Sequence, residues 1–390
     1  MPEGVDESAV RDALLGVIDP ELGDNIVDLG MVRRVDVAAD GAVEVEIALT
    51  TSGCPLRTQL RNDVEARVST LPGVARVRVA MGEMNRAERS AVMDRARRKA
   101  GEERAVVTDI PVSARVLAVS SGKGGVGKSS VTVNLAVALA KRGLVVGLLD
   151  ADVWGFSVPR LLGMEGELRG EASKIVPLEK PVGDGLLKVV SMGFLAEEES
   201  AIMWRGLILN RAVQHFLEDV RWGKVDYLLI DMPPGTGDVQ MGLARMLPRT
   251  EVLVVTTPPI AAQKVAARAA DMARKGHLRV AGVIENMSSF TCGHGESYAL
   301  FGEGGGARLA QEIGVPLVGS VPIDPDMAPA GDAGAPVALS DGTGGSGAVF
   351  DALATRIVED IAPLVEVAGC TAQMLERVEA ALDEAAGQAG

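Results

Sequence analysis

The sequence predicts an α/β protein in which a small N-terminal α+β domain precedes a doubly wound, mostly parallel sheet. One observation is a series of short, nearly continuous apolar runs after residue 113, with helical stretches between most of them. Strands that are buried on both faces and alternate with helices form sheets of this kind. A second observation is the alternation of apolar and polar residues within the first 82 residues, which is typical of half-buried strands.

Composition and charge exclude several classes of protein. Of the 390 residues, 47% are hydrophobic, which excludes a disordered or fibrous chain. No apolar run reaches the ~18 residues of a membrane span, and the acidic N-terminus lacks the apolar segment of a secretory signal. The net charge of −14 argues against DNA or an anionic membrane as the main partner. Three widely spaced cysteines fit free thiols in a cytoplasmic protein.

Residues 1–82 are expected to form the small domain. Asp6 can cap a first helix, which ends at Asp19-Pro20. Two alternating strands follow and are joined by a hairpin turn at Asp40-Gly41. A second helix and a third strand complete the order α-β-β-α-β, with the later elements expected at 32–37, 42–49, 55–68 and 74–80.

The next segment, residues 83–112, is rich in arginine and is expected to be a charged, helical linker. Its basic run at 95–99 fits a solvated face better than a contact with nucleic acid. Residues 113–370 form the second predicted domain, and 371–390 an acidic C-terminal tail. The strands of the second domain are expected at 115–120, 144–149, 187–191, 227–230, 251–256, 280–284 and 316–321.

A glycine-rich segment follows the first of these strands and opens a helix. It satisfies G-x-x-x-x-G-K-S, and this context is typical of a phosphate-binding loop. Lys128 is expected to reach the β and γ phosphates of ATP, and Ser129 to hold Mg²⁺. The predicted nucleotide-binding residues are Gly122, Lys123, Gly124, Gly125, Val126, Gly127, Lys128, Ser129 and Ser130.

Two aspartates follow strands whose carboxyl ends should meet beside this loop. Asp152 follows the strand at 144–149 and is placed to orient the attacking water or a magnesium-bound water. Asp231 ends the strand at 227–230 and is expected to hold Mg²⁺ through water. The glycines in the segment after Asp231 would let it move when the γ-phosphate leaves.

Lys123 is a second lysine directly after the first glycine of the loop. This spacing resembles the deviant Walker A loop of the MinD/ParA/nitrogenase-iron-protein class. The resemblance implies a homodimer in which Lys123 reaches the nucleotide of the partner and, with Lys128 and Asp152, takes part in hydrolysis.

Longer segments resemble the Mrp/ApbC family of iron–sulfur cluster carrier ATPases. They are DADVWGFSVPRLLG from Asp150, MWRG from Met203, VDYLLIDMPPGTGD from Val225, VIENMSSF from Val283 and FGEGGG from Phe301. The N-terminal part resembles the SufT-type domain that is often fused ahead of this ATPase, through DPELGDNIVDLGMV from Asp19 and TTSGCPL from Thr50.

The resemblance implies a slow, Mg²⁺-dependent ATP hydrolase in the cytoplasm. It would bind iron–sulfur clusters and transfer them to apoproteins, with iron–sulfur assembly proteins as further partners. It also implies that Asn286 reads adenine, helped by the segment that contains Pro322 and Asp324. In the SufT-like domain it marks Cys54 as the reactive thiol. Cys54 also precedes a predicted helix, whose N-terminus would lower the thiol pKa; a buried structural cysteine is the alternative.

The sequence departs from the family at the expected C-x-x-C pair. Two such pairs from two subunits would hold one bridging [4Fe–4S] cluster, but Gly295 occupies the place of the second cysteine. Cys292 and His294 from both subunits could form a Cys₂His₂ set for a cluster or for zinc, or the loop could bind nothing.

Two other functions remain open from the sequence. A MinD- or ParA-type positioning ATPase would need a basic amphipathic tail or a DNA-binding surface. The acidic tail and the negative net charge argue against both. A nucleotide-switched adaptor that has lost its cluster is compatible with Gly295.

Overall fold

The computed structural model describes residues 5–19, 22, 24–49, 57–85, 88–89, 91–92, 95, 108–152, 155–171, 174–194, 213–235, 238–340 and 345–364. Most of the predicted linker helix, the MWRG segment and the whole acidic tail lie outside the described residues, as do Cys54 and Cys370.

The small domain packs two helices against a three-stranded sheet. Its elements are α1 (Glu7–Leu14), β1 (Ile18–Asp19), β2 (Asp24–Asn25), β3 (Val32–Val37), β4 (Ala42–Leu49), α2 (Arg57–Val68) and β5 (Arg76–Glu83). Asp6 caps α1, as predicted, by accepting a hydrogen bond from the Ala9 amide. Strand β4 pairs antiparallel with β3 and parallel with β5. The short β1–β2 ladder was not predicted, because two-residue strands leave no periodic pattern.

The second domain is built on a nine-stranded sheet. Its strands are β6 (Arg115–Ser121), β7 (Val145–Asp150), β10 (Leu178–Val182), β11 (Gly185–Ser191), β12 (Tyr227–Asp231), β13 (Glu251–Thr256), β14 (Arg279–Thr291), β15 (Ser297–Tyr298) and β16 (Leu317–Ile323), while β8 (Arg169–Glu171) and β9 (Lys174–Val176) form a separate ladder. The order is β10-β11-β7-β12-β6-β13-β14-β15, and β16 also pairs with β14.

Helices cover both faces of this sheet. They are α3 (Lys128–Lys141), α4 (Val158–Leu162), α5 (Asp238–Met246), α6 (Ile260–Lys275), α7 (Gly305–Ile313), α8 (Met327–Asp332) and α9 (Gly345–Arg356). Alternate residues of β6 enter two separate cores: Leu117 packs with α3 and α9, and Val116 with α5 and α6. A strand buried on both faces therefore has the continuous apolar sequence from which it was predicted.

The predicted fold class is confirmed, with additions at the edges of the sheet. Seven of the nine strands run parallel, and β10 and β15 add antiparallel edges. Strand β14 extends to Thr291, well beyond the predicted 280–284. The polar residues of this extension gave no apolar run, so the sequence pattern ended too early.

The small domain contacts the amino ends of three strands through a buried charged cluster. Arg279 of β14 donates to both carboxylate oxygens of Asp63 on α2, over 2.6 and 2.9 Å. Glu251 of β13 accepts hydrogen bonds from Arg279, Arg115 and Gln59. Two arginines and two carboxylates thus balance each other where the domains meet.

Candidate functional site

The glycine-rich loop lies between β6 and α3 at the carboxyl edge of the sheet. Gly125 and Gly127 have φ angles of 81° and 78°, which L-residues with side chains rarely adopt. A Cβ on Gly122 would lie 2.3 Å from the carbonyl carbon of Val265. These glycines are therefore required by the backbone itself.

A cavity of about 280 Å³ opens over this loop. Residues 123–130 of the predicted segment 122–130 supply most of its wall, and Gly122 is not among the described lining residues. The remaining lining residues are Ser121, Asp152, Ser157, Leu161 and Pro234. The structure therefore brings Asp152 to the same cavity as the phosphate loop, although 22 residues of chain separate Ser130 from Asp152.

Three donors converge on the buried carboxylate of Asp231 at the floor of the site. The Lys128 ammonium lies 2.7 Å from Oδ1, and the Ser129 hydroxyl donates to Oδ2 over 2.6 Å. The Thr132 hydroxyl lies 2.9 Å from both Oδ1 and the Lys128 carbonyl oxygen, and donates to one of them. The predicted phosphate-binding lysine and the two predicted magnesium-binding residues therefore contact one another directly.

A second buried carboxylate, Asp150, lies on the adjacent strand in register with Asp231. Burial, and then the negative charge of Asp231, raise the pKa of Asp150 to about 7. Its oxygens accept hydrogen bonds from the Asp152, Ser157 and Val158 amides and from the Ser191 hydroxyl. Two buried carboxyl groups therefore lie side by side beneath the loop, and the Lys128 ammonium is paired with one of them, Asp231.

Lys123 lies on the exposed side of the loop. Its carbonyl oxygen accepts a hydrogen bond from the Ser121 hydroxyl over 3.0 Å. Its ammonium makes no ion pair within the described part of the chain. The side chain stands at the mouth of the cavity, and its predicted action on a partner's nucleotide remains a prediction.

Asn286, which is predicted to recognise adenine, contacts the phosphate loop in this structure. Its side-chain amide donates to the Val126 carbonyl oxygen over 2.8 Å. A Cβ on Gly127 would lie 2.3 Å from the same nitrogen, so glycine is also needed here for packing. The contact joins β14 to the loop, and adenine recognition by Asn286 stays a prediction.

Pro322 and Asp324 lie at the end of β16, away from the part of the cavity wall that the described residues form. Asp324 accepts hydrogen bonds from the Asp326 and Ser346 amides. Partial burial raises the pKa of this carboxyl, but these two amides outweigh burial and lower it. Their predicted part in adenine binding therefore also stays a prediction.

Cys292 and His294 lie together on the tight turn between β14 and β15. The Gly295 amide donates to the Cys292 carbonyl oxygen, and the Cys292 amide to the Glu296 carbonyl oxygen, both over 2.9 Å. The His294 amide, followed by that of Glu296, lowers the pKa of the Cys292 thiol. Within the described residues, neither Cys292 nor His294 belongs to a group of three potential metal ligands.

Sequence reasoning missed three polar residues of this site. Thr132 follows Lys128 by one helical turn, so its position on the same face of α3 was available from spacing alone. Asp150 was recognised only as part of a motif, and Ser191 only as the end of a strand. Their contact depends on the lateral order of β11, β7 and β12, which no local pattern contains.

Known protein families match both predicted domains of the chain. The family described as NUBPL iron-transfer P-loop NTPase matches residues 113–358. The family described as iron-sulfur cluster assembly protein matches residues 7–80.

Curated relatives extend over nearly the whole chain. A protein of Mycobacterium bovis named iron-sulfur cluster carrier protein is 44% identical over 359 residues, which are 90% of this chain and 93% of the relative. A protein of the same name from Synechocystis is 40% identical over 352 residues, with 90% and 96% covered. Among solved structures, a nucleotide-binding protein in complex with ADP from Archaeoglobus fulgidus is 37% identical, covers 57% of this chain and 86% of its own, and has a TM-score of 0.48.

No helix in the described part of the chain is long and apolar enough to cross a membrane.

Proposed function

The chain belongs to the NUBPL iron-transfer P-loop NTPase family, and from this membership we propose that it is an ATP-hydrolysing carrier of iron–sulfur clusters. The observation that carries the nucleotide half of the proposal is the contact of Lys128, Ser129 and Asp231 beneath the glycine loop. The relatives named iron-sulfur cluster carrier protein support the cluster half. The expected acceptors are apoproteins, with assembly proteins as further partners, in the cytoplasm.

The phosphate site has the donors that Mg²⁺ and ATP require. Backbone amides of the loop and the ammonium of Lys128 would bind the β and γ phosphates. Ser129 and Asp231 offer the oxygen ligands that Mg²⁺ prefers, directly and through water, and the ion would neutralise developing phosphate charge.

Asp152 is the residue best placed to orient the attacking water. It lines the same cavity as the loop, and its own amide donates a hydrogen bond to Asp150 over 3.2 Å. A carboxylate in this position can accept a hydrogen bond from water and align it with the γ-phosphate. In this proposal Lys123 of the partner subunit completes the charge around the phosphates in a homodimer.

Cys292 and His294 are the proposed ligands of the cargo. Two chains would offer two thiolates and two imidazoles, whereas an iron–sulfur cluster usually has four thiolates. The same Cys₂His₂ set suits zinc, which should compete well. Binding is therefore expected to be weak and sensitive to chelators. Gly295 also supports the second candidate function, a nucleotide-switched adaptor without a cluster that acts through the small domain.

ATP hydrolysis by the Lys128→Ala variant tests the nucleotide half of the proposal. The β and γ phosphates lose their main counter-charge, so we expect turnover to fall to background. Lys141→Ala is the matched control, because Lys141 ends the same helix and pairs with Asp351 instead. Unchanged phosphate release by Lys128→Ala, or equal loss in both variants, would contradict the assignment.

A further inference from the structure

Asp150 occupies a central place in the site but is absent from its cavity wall. It is the last residue of β7, is fully buried, and lies in register with Ser191 of β11 on one side and Asp231 of β12 on the other. The described residues that line the cavity include Asp152 and Ser157 but not Asp150. Asp150 is therefore buried behind the described lining of the cavity.

The hydrogen bonds of Asp150 are concentrated on the segment that follows it. Oδ1 accepts from the Asp152 amide over 3.2 Å. Oδ2 accepts from the Ser157 and Val158 amides over 3.2 and 3.3 Å, and from the Ser191 hydroxyl over 3.1 Å. One carboxylate thus accepts amide hydrogen bonds from both ends of the segment 152–158.

This pattern joins residue 152 and residues 157–158 to the same carboxylate. The first anchored amide belongs to Asp152 itself, and the last ones belong to the start of α4, whose residue Leu161 also lines the cavity. Ser191 in turn accepts a hydrogen bond from the Gly193 amide over 3.0 Å, which holds its hydroxyl in place. The Asp152 backbone is therefore held to the sheet through Asp150 and Ser191.

We propose that Asp150 is a positioning residue for ATP hydrolysis, which holds Asp152 at the cavity wall by anchoring both ends of the segment 152–158. The inference rests on the proposed ATPase function and assigns Asp150 no contact with substrate. Small displacements of a group that orients a reacting water are costly for rate. Binding of ATP depends mainly on the phosphate loop, which Asp150 does not anchor.

Steady-state hydrolysis by Asp150→Asn tests this role. An amide in place of the carboxylate presents an NH₂ group to backbone donors, so the segment should lose at least one anchor. We expect kcat to fall about 10- to 100-fold, while the affinity for a fluorescent ATP analogue changes little. Asp226→Asn is the matched control: Asp226 accepts from the Val145 amide at the opposite end of β7, and the variant should keep its kcat.

A double-mutant cycle with Asp152→Ala distinguishes positioning from a general loss of structure. If Asp150 acts only through Asp152, Asp150→Asn should have little further effect on the residual rate of Asp152→Ala. Ser191→Ala removes one donor, keeps the carboxylate, and should show a smaller effect with the same dependence on Asp152. It takes the place of Asp150→Asn should that variant fail to fold.

Three results would overturn the inference while leaving the ATPase function intact. The first is a normal kcat in Asp150→Asn, and the second is an equal loss of kcat and of ATP affinity in that variant. The third is a double variant in which the rate losses of Asp150→Asn and Asp152→Ala multiply. Failure of the proposed function itself looks different, because the wild-type chain would then hydrolyse no ATP.

Discussion

The tight turn between β14 and β15 changes the chemistry of the Cys292 thiol. Hydrogen bonding by the backbone amides of His294 and Glu296 favours the charged form of this thiol and lowers its pKa. A lowered pKa makes this cysteine a better nucleophile and metal ligand at neutral pH.

We therefore predict a shifted pH profile for alkylation of Cys292. The rate rises with pH as the thiol ionises, so a lowered pKa places the midpoint below the about 8.5 of an unperturbed cysteine. Mass spectrometry of the Cys292 peptide separates this reaction from those of Cys54 and Cys370. The control is the same reaction on the protein unfolded in urea, because unfolding removes the turn and should return the midpoint to the ordinary value. Coincident midpoints in the folded and unfolded protein would contradict the prediction.

At the scale of single elements, α2 is the part of the small domain that contacts the second domain through buried charge. Burial raises the pKa of Asp63, and the charge and hydrogen bonds of Arg279 oppose this. Arg67 at the end of α2 donates to the Ile313 carbonyl oxygen over 3.1 Å, at the C-terminus of α7. One helix thus contacts the second domain at two places.

Asp63→Ala is expected to destabilise this contact strongly. Removal of one member of a buried ion pair leaves the other charge uncompensated, which costs about 3–5 kcal/mol. Arg279 keeps Glu251, so the lower part of this range is expected. Urea denaturation should show the loss as a lower midpoint.

Glu171→Ala breaks the exposed pair with Arg221 and should cost less than about 1 kcal/mol. Similar costs for both variants would show that the cluster does not stabilise the fold.

The elements also show what sequence patterns could and could not predict. Strand β13 was predicted with its observed bounds, because both faces are buried and the apolar run is continuous. Strand β10 was missed because glutamate, lysine and proline stand in a row between its two apolar end residues, at the edge of the sheet. The charged cluster of α2 joins residues as far apart as Asp63 and Arg279, a contact that only the tertiary fold creates.

At the scale of the whole molecule, the closeness of the proposed site residues was largely predictable, while their functional roles remain predictions. Lys128, Ser129 and Asp152 were identified because their motif fixes local spacing and because carboxyl ends of parallel strands share one edge. The contact of Asn286 with Val126 was not, since 160 residues separate the two along the chain. The domain boundaries and the dimer expected from Lys123 remain predictions.

Mixing two inactive variants tests the action of Lys123 across the dimer. Lys123→Ala and Asp152→Ala chains should each bind nucleotide but hydrolyse it poorly. If Lys123 acts on the partner's nucleotide, a mixed dimer contains one site with both residues, and an equal mixture should recover about a quarter of the wild-type rate. Each variant mixed with wild-type chains controls for subunit exchange. No recovery in proven mixed dimers would mean that Lys123 acts within its own chain or not at all.

The proposed function places an iron–sulfur cluster on Cys292 of an ATP-hydrolysing protein. Anaerobic reconstitution with iron and sulfide tests this placement. Bound iron and visible absorption are measured for the full chain and for its variants Cys292→Ser, Cys54→Ser and Gly295→Cys. We expect the wild type to bind iron weakly and to lose it to chelators. Iron binding should be lost in Cys292→Ser and retained in Cys54→Ser. Gly295→Cys restores four thiolates per dimer and should give a more stable cluster. Unchanged iron in Cys292→Ser together with its loss in Cys54→Ser would contradict the account and assign cluster binding to the small domain.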